Sequence, residues 1–291
     1  MDLHQLRAFV AVAETRSFSI AAKQLFLTQP AVSKRLSQLE SQLGIKLLNR
    51  LGRQTHLTPA GNALLSRAKH ILQEMEDGIR LITNLREDMG GRLSFATSHH
   101  IGLHRLPPVL RQFSQQFPQI ELDIHFMDSE MAYDKLKQGE LEFALVTLAP
   151  HTIPKLQTTP LWRDELCICT APDHALARSK SPQLEHLYEY ATILPGTNTY
   201  TRQIIDKILW IKNREFQLKF TTNYLETIKM MVSVGLAWSV LPLTMVDQSI
   251  KVCAIKSLRL DRTLGCVFHR QKTLSNAGKM FIGLLTATIS I

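Results

Sequence analysis

Apolar residues at helical spacing recur three times within the first sixty positions, with little chain between the runs. Leu3, Leu6, Phe9, Val10 and Ala13 mark the first. Ser17–Leu25 forms the second, a turn falls at Phe26-Leu27, and a third run extends from Thr28 to Gln42. In that third run Val32, Leu36, Leu39 and Leu43 step by four, three and four, which is one face of an α-helix. Its opposite face holds Gln29, Pro30, Ser33, Lys34, Ser37 and Gln38. The pattern predicts a helix-turn-helix, and an outward face of amide, hydroxyl and ammonium groups suits the major groove of DNA.

The residue types assign roles along that face. Thr28 caps the third helix, and Pro30 sits in its first turn, where a missing N–H costs nothing. Gln29 is the candidate for reading a base edge, since a primary amide pairs two-pronged with adenine. Pro30 is placed for a thymine methyl, Ser33 and Lys34 for phosphate or base edges, and Arg35 for the flank. Ser33 and Gln38 also read as ordinary exposed helix surface. Beyond Gly44, a helix stop, two short extended runs around Gly52 predict a wing with Arg50 and Arg53 at its tip. Arginines there track the backbone or enter the minor groove.

Charge distribution supports the same partner. The chain carries a net +9, and residues 1–58 hold eight basic side chains against three acidic ones, a balance that favours polyanions. At 291 residues the chain has the length of two or three domains. No run approaches the ~20 apolar residues that span a bilayer. Met1-Asp2-Leu3-His4-Gln5 does not read as a signal peptide, so a cytoplasmic location is expected. Cys167, Cys169, Cys253 and Cys266 show neither metal-ligand spacing nor a disulfide framework, in keeping with a reducing compartment.

From Pro59 to about Met89, Leu64, Ala68, Ile71, Met75, Gly78, Ile82, Leu85 and Met89 follow alternating four- and three-residue steps, the seam of a coiled coil. Leu65, Leu72 and Ile79 widen it. Such a helix runs roughly 45 Å. The pattern fits a dimerisation helix, and also a long amphipathic helix lying on its own domain.

After Gly90-Gly91, strands at Arg92–Thr97, Ile120–Met127 and Leu141–Thr147 alternate with helices at Gly102–Phe117 and Ser129–Gln138, which predicts a parallel sheet with covering helices. A second series follows: strands Glu165–Thr170, Ala191–Leu194, Phe216–Phe220 and Ala237–Leu241, with helices Thr201–Lys212 and Leu225–Val234. The extended run Ile250–Ile255, strand Leu264–Arg270 and helix Asn276–Ile289 close the chain. In open α/β sheets ligands sit at the carboxyl ends of strands. Three loops qualify: Thr97-Ser98-His99-His100, Thr147 after its strand, and Pro195–Tyr200, with Thr197, Asn198 and Thr199. Their hydroxyls, amide and imidazoles suit a small anion such as a carboxylate or sulfate. His99 and His100 also read as surface residues near a helix cap, and the threonines as ordinary caps.

The run Leu6–Gly61 resembles the N-terminal domain of LysR-type transcriptional regulators. Phe9, Ser17-Phe18, Ala21-Ala22, Leu25, Thr28–Ser33, Leu36, Leu39-Glu40, Leu43-Gly44, Leu47, Arg50 and Leu57–Gly61 carry the likeness. Leu48 stands where the family usually has Phe. The resemblance implies an all-α winged helix-turn-helix domain at 1–58, and a linker helix at 59–89 that pairs antiparallel with its copy. An effector-binding domain at 90–291 follows, an α/β two-lobed fold like the periplasmic binding proteins. Lobe I then takes about 92–161 and 264–291, and lobe II about 162–263. The resemblance further implies a homodimer or homotetramer on double-stranded DNA with two half-sites, an effector that shifts the lobes, and altered access of RNA polymerase. The loop Thr97–His100 is similar to that of the sulfate-sensing regulators of cysteine biosynthesis. By that likeness Ser98, His100 and Thr147 match anion-contacting positions, although His100 replaces a hydroxyl, and the second-lobe match stays open between Thr197 and Thr199.

Other classes find less support. GxSxG, Walker, GxGxxG and HExxH motifs are missing, so neither an enzyme nor a cofactor is expected. His99, His100 and His104 lack a carboxylate or cysteine at matching spacing, so no metal is expected. A thiol-based redox sensor using Cys167 and Cys169, which share one strand face, and an architectural DNA binder without effector are the alternatives.

Overall fold

The computed structural model describes residues 1–51, 54–83, 91–211, 214–256 and 258–289. The chain divides into two compact units, with the boundary between Thr83 and Gly91.

Three helices open the first unit: α1 (Leu3–Thr15), α2 (Phe18–Gln24) and α3 (Gln29–Leu43). Each start is capped by the side chain its sequence offers. Asp2 and Gln5 close a reciprocal capping box on α1, Ser17 accepts from the Ile20 amide, and Thr28 accepts from the Ala31 amide. Strands β1 (Leu48–Leu51) and β2 (Gln54–Leu57) pair antiparallel as the wing, and α4 (Pro59–Thr83) follows. Leu6, Phe9, Val12, Val32, Leu36 and Leu39 pack with Leu47, Leu48 and Ala68 into one core, so α4 contributes its first turns to the reading head. The buried stripe of α1 runs through Ala8 and Val12 rather than Ala13. Leu43, expected on the buried stripe of α3, is exposed because the helix ends at Gly44, whose left-handed φ of 68° releases the chain from the core.

A tight corner joins wing and α4. Thr58 Oγ1 donates to the Lys46 carbonyl at 2.7 Å and accepts from the Gly61 amide at 3.0 Å. A Cβ on Gly61 would lie 2.1 Å from the Leu47 carbonyl oxygen, so only glycine fits. Leu48 is buried, an apolar replacement that packs as expected.

In the second unit, β3 (Gly91–Thr97) lies parallel between β4 (Ile120–Phe126) and β5 (Phe143–Thr147). Helices α5 (His99–His104), α6 (Pro107–Gln116) and α7 (Ser129–Gln138) connect them. The single helix expected over Gly102–Phe117 is two, because Pro107-Pro108 forces a new start. Long strands β6 (Leu156–Thr170) and β11 (Leu260–His269) then pair antiparallel, all of β11 lying against Leu156–Leu166 of β6, and belong to both lobes. Their register shifts between Leu264 and Gly265, opposite Pro160 and Trp162. That bulge, with a proline in the strand, explains why the first half of β6 was not legible in the sequence.

The second lobe holds α8 (Ala175–Arg178), β7 (Ala191–Leu194), α9 (Tyr200–Leu209), β8 (Gln217–Thr221), α10 (Leu225–Ser233), β9 (Ser239–Pro242) and β10 (Lys251–Val252). β7 and β8 are parallel, whereas β9 and β10 flank the second half of β6 antiparallel. α11 (Asn276–Ile289) returns to the first lobe, where Phe281 stacks on Phe95. Trp238, fully buried, anchors the second lobe through its Nε1 donor to the Leu187 carbonyl at 2.9 Å.

Candidate DNA interface and effector cleft

On α3 the burial divides cleanly. Val32, Leu36 and Leu39 are inside, Thr28, Gln29, Pro30, Lys34, Ser37 and Gln38 are exposed, and Ser33 and Arg35 are half-buried. Arg50 lies on β1 opposite Thr55, while Arg53 is outside the described residues. Glu40 was not singled out from sequence, because a lone acid late in a polar-faced helix looks like solvated surface. It is buried, and its Oε1 accepts from the Leu47 and Leu48 amides at 2.9 and 3.2 Å while Lys46 Nζ lies 2.7 Å from Oε2. Burial opposes its ionisation, but those hydrogen bonds win and hold its pKa below the usual range. Glu40 thus sets the angle between α3 and the wing.

Between the two lobes of the second unit lies a cavity of about 50 Å³, room for a few waters or one small oxyanion. Ser98, His99, His100, Thr147 and Thr199 line it, five of the seven expected effector residues. Thr197 and Asn198 are exposed outside the lining. The Thr199 amide and hydroxyl both donate to the Gly196 carbonyl, and that tight turn puts 197 and 198 at its apex. Pro195, from the third expected loop, and Asp128, Ser129, Glu130, Thr201, Asn223, Leu225 and Arg262, which were not foreseen, complete the wall.

Arg262 and Asp164 face each other across β11 and β6, and Arg262 Nε donates to Asp164 Oδ2 at 2.9 Å. Arg262 Nη1 donates to Thr201 Oγ1 at 2.8 Å, whereas Nη2 is buried without a partner among the described residues. Burial resists the Asp164 charge, but His100 and Arg262 hold its pKa down at about 2. Burial also pushes His100 below the ordinary imidazole range, against the pull of Asp164. Glu130 is raised by burial even as its Oε1 accepts from the Tyr200 amide at 2.6 Å.

Ties cross the cleft. Asn223 Nδ2 donates to Asp128 Oδ2 at 2.7 Å, and His104 Nε2 meets Glu226 Oε1 at 2.8 Å. The carboxylate that the histidines lacked by local spacing therefore arrives from the other lobe. Cys167 and Cys169 share a face of β6 as expected, with their sulfurs 3.5 Å apart. Contact with Cys169 lowers the Cys167 thiol, and the same contact together with burial raises Cys169.

A winged head and a two-lobed α/β cleft in one chain define a DNA-binding regulator with an effector-binding domain. The chain belongs to the LysR family: residues 3–62 match the bacterial regulatory helix-turn-helix of that family, and residues 86–290 match the LysR substrate binding domain. A probable RuBisCO transcriptional regulator from Thalassiosira pseudonana is 31% identical over 291 residues, covering 96% of this chain and 95% of its own. Among solved structures, a full-length OxyR variant from Pseudomonas aeruginosa superposes with a TM-score of 0.72 at 24% identity, over 100% of this chain and 95% of its own. Full-length CbnR complexed with its target DNA gives 0.67 at 22%, over 99% and 100%. No described helix is long and apolar enough to cross a membrane.

Proposed function

We propose that the chain works as a homodimer or homotetramer in the cytoplasm, reading a two-half-site operator and changing its grip when a small anionic effector enters the cleft. The domain division carried forward is 1–58 for reading, 59–89 for pairing and 90–291 for sensing. In the first, Gln29 and Pro30 meet base edges in the major groove, Ser33 and Lys34 phosphate or base edges, and Arg35 the flank, while Thr28 caps the α3 N-terminus that favours a phosphate and the wing brings Arg50 and Arg53 to the backbone or minor groove. The observation that carries this reading is the exposed polar face of α3 over the buried Val32, Leu36 and Leu39.

Pairing falls to α4, where Ile71, Ile79, Leu81 and Ile82 are exposed in the single chain. The anionic character of the effector rests on Arg262. A buried guanidinium with an idle Nη2 at a cavity wall, beside the hydroxyls of Ser98, Thr147 and Thr199, favours an oxyanion of few atoms. Asp128 is engaged by Asn223, and Glu130, raised in pKa, is the acid that most readily stays neutral beside it. Binding there draws on differential affinity for two lobe arrangements, typically about 1–3 kcal/mol of coupling, and alters access of RNA polymerase through the DNA.

In vitro selection from random duplexes tests the reading half, and enrichment of a two-half-site sequence is expected. Sulfate and small carboxylates are then titrated into the complex. One of them should shift operator affinity in the wild type and not in Thr147→Ala. Absence of any enriched duplex refutes the reading of DNA; an equal response in Thr147→Ala removes that hydroxyl from the site.

A further inference from the structure

We propose that His100, His104 and Glu226 form a site for a divalent late first-row transition metal, zinc being the simplest occupant. One donor atom from each residue lies within 4.8 Å of those of the other two. His100 and His104 are four apart on α5, so both imidazoles leave the same helix face, the spacing with which helices grip metals. Glu226 comes from the first turn of α10, in the other lobe, and its Oε1 is already 2.8 Å from His104 Nε2.

The independent sign is His100. It is 5% exposed, and neither ring nitrogen has a hydrogen-bond partner among the described residues. An idle buried imidazole is costly, and a metal removes that cost. Asp164 Oδ2 stands 3.6 Å from Nε2, just beyond a hydrogen bond, which leaves Nδ1 for an ion. A carboxylate behind a ligating histidine is the usual outer support of such sites.

Two imidazoles, one carboxylate and an open fourth position suit zinc, and the same donors accept cobalt, nickel or copper. Donors around tetrahedral zinc are roughly 3.3 Å apart. Contraction from the present spacing needs rotation of His104 and Glu226, which reach solvent. A metal held there ties α5 to α10 and so joins the lobes. The site shares His100 with the wall of that cavity, but His104 and Glu226 lie outside its lining, so metal binding is tested apart from the anionic-effector reading.

Full-length protein stripped with chelator and titrated with zinc chloride in a calorimeter tests it, with cobalt(II) visible absorption reporting coordination. One ion per chain is expected. Affinity should fall at least tenfold in both His104→Ala and Glu226→Gln, positions that reach solvent and leave the far-ultraviolet dichroism unchanged. A wild type that binds no zinc overturns the site, as does zinc binding that persists equally in His104→Ala and Glu226→Gln. Effector response is measured separately on the stripped protein, so loss of one property does not mimic loss of the other.

Discussion

On α3 most of the polar groups stand in water, within ten residues of one another, above an underside that is apolar except for Glu40. In the interlobe cavity they are buried or half-buried, they come from positions as distant as Ser98 and Arg262, and both ring nitrogens of His100 lack a hydrogen bond among the described residues. The two surfaces suit different partners. A duplex brings its own solvated phosphates and bases, so side chains can wait exposed and be ordered on contact. A small ligand must gain everything from a few groups held in advance, and those groups carry a desolvation cost whenever the ligand is away. Substitutions on α3 should therefore change recognition and spare stability, whereas substitutions around Arg262 should cost stability as well as effector response.

Asp164→Ala is the severest test of that contrast. It strands the fully buried Arg262 charge, and breaking such a pair costs about 3–5 kcal/mol. Chemical denaturation should show the effector domain unfolding at much lower denaturant, with the reading head unchanged. A loss under about 1 kcal/mol would mean that water already solvates the pair. Glu40 is the exception within the head, a buried acid serving backbone amides. Glu40→Ala should cost about 2–3 kcal/mol by leaving the Leu47 and Leu48 amides unpaired. Its lowered pKa fixes the sign with pH. The stabilisation is full above the unfolded glutamate value of about 4.3 and is lost as pH falls through the lower folded value. Melting of the head against pH should flatten in Glu40→Gln.

How far sequence carried each region follows from the same contrast. The α3 face was legible because cap, apolar stripe and polar face all fall inside one fifteen-residue helix, where period alone sorts inside from outside. The exposed Leu43 shows where that stops, since Gly44 reads as the helix stop but periodicity alone does not say that the last turn before it leaves the core. Ser98, His100 and Thr147 could be placed at the cavity from sequence because strand ends are recognisable locally. Asp164 and Arg262 could not, because only the β6–β11 register sets them opposite each other across 98 residues. The same holds for Glu226, 122 residues from the histidine it meets. Thr197 and Asn198, polar enough for a site, stand outside the lining at the apex of the tight turn that Thr199 closes on the Gly196 carbonyl.

Recognition is where α3 should prove sensitive. Gln29→Ala should lose about 1–3 kcal/mol of preference at one base pair while stability moves by less than about 0.5 kcal/mol. Competition with single-base operator variants measures the first and thermal melting the second. A drop in melting temperature with preference intact would make Gln29 a structural residue after all and erase the contrast.

Lys34→Ala should give the smallest effect and the most specific signature. An exposed ammonium on a phosphate contributes through released counterions, so all sequences should weaken alike. The slope of log affinity against log salt should fall by about 0.9, the share of a single neutralised phosphate. If instead one base pair alone loses its preference at unchanged slope, Lys34 reads a base edge and the division of labour along α3 moves one helical turn inward. Either result keeps the helix on the duplex. An unchanged slope with unchanged preference would take this side chain off the DNA and leave Gln29, Pro30 and Ser33 as the whole reading surface of the helix.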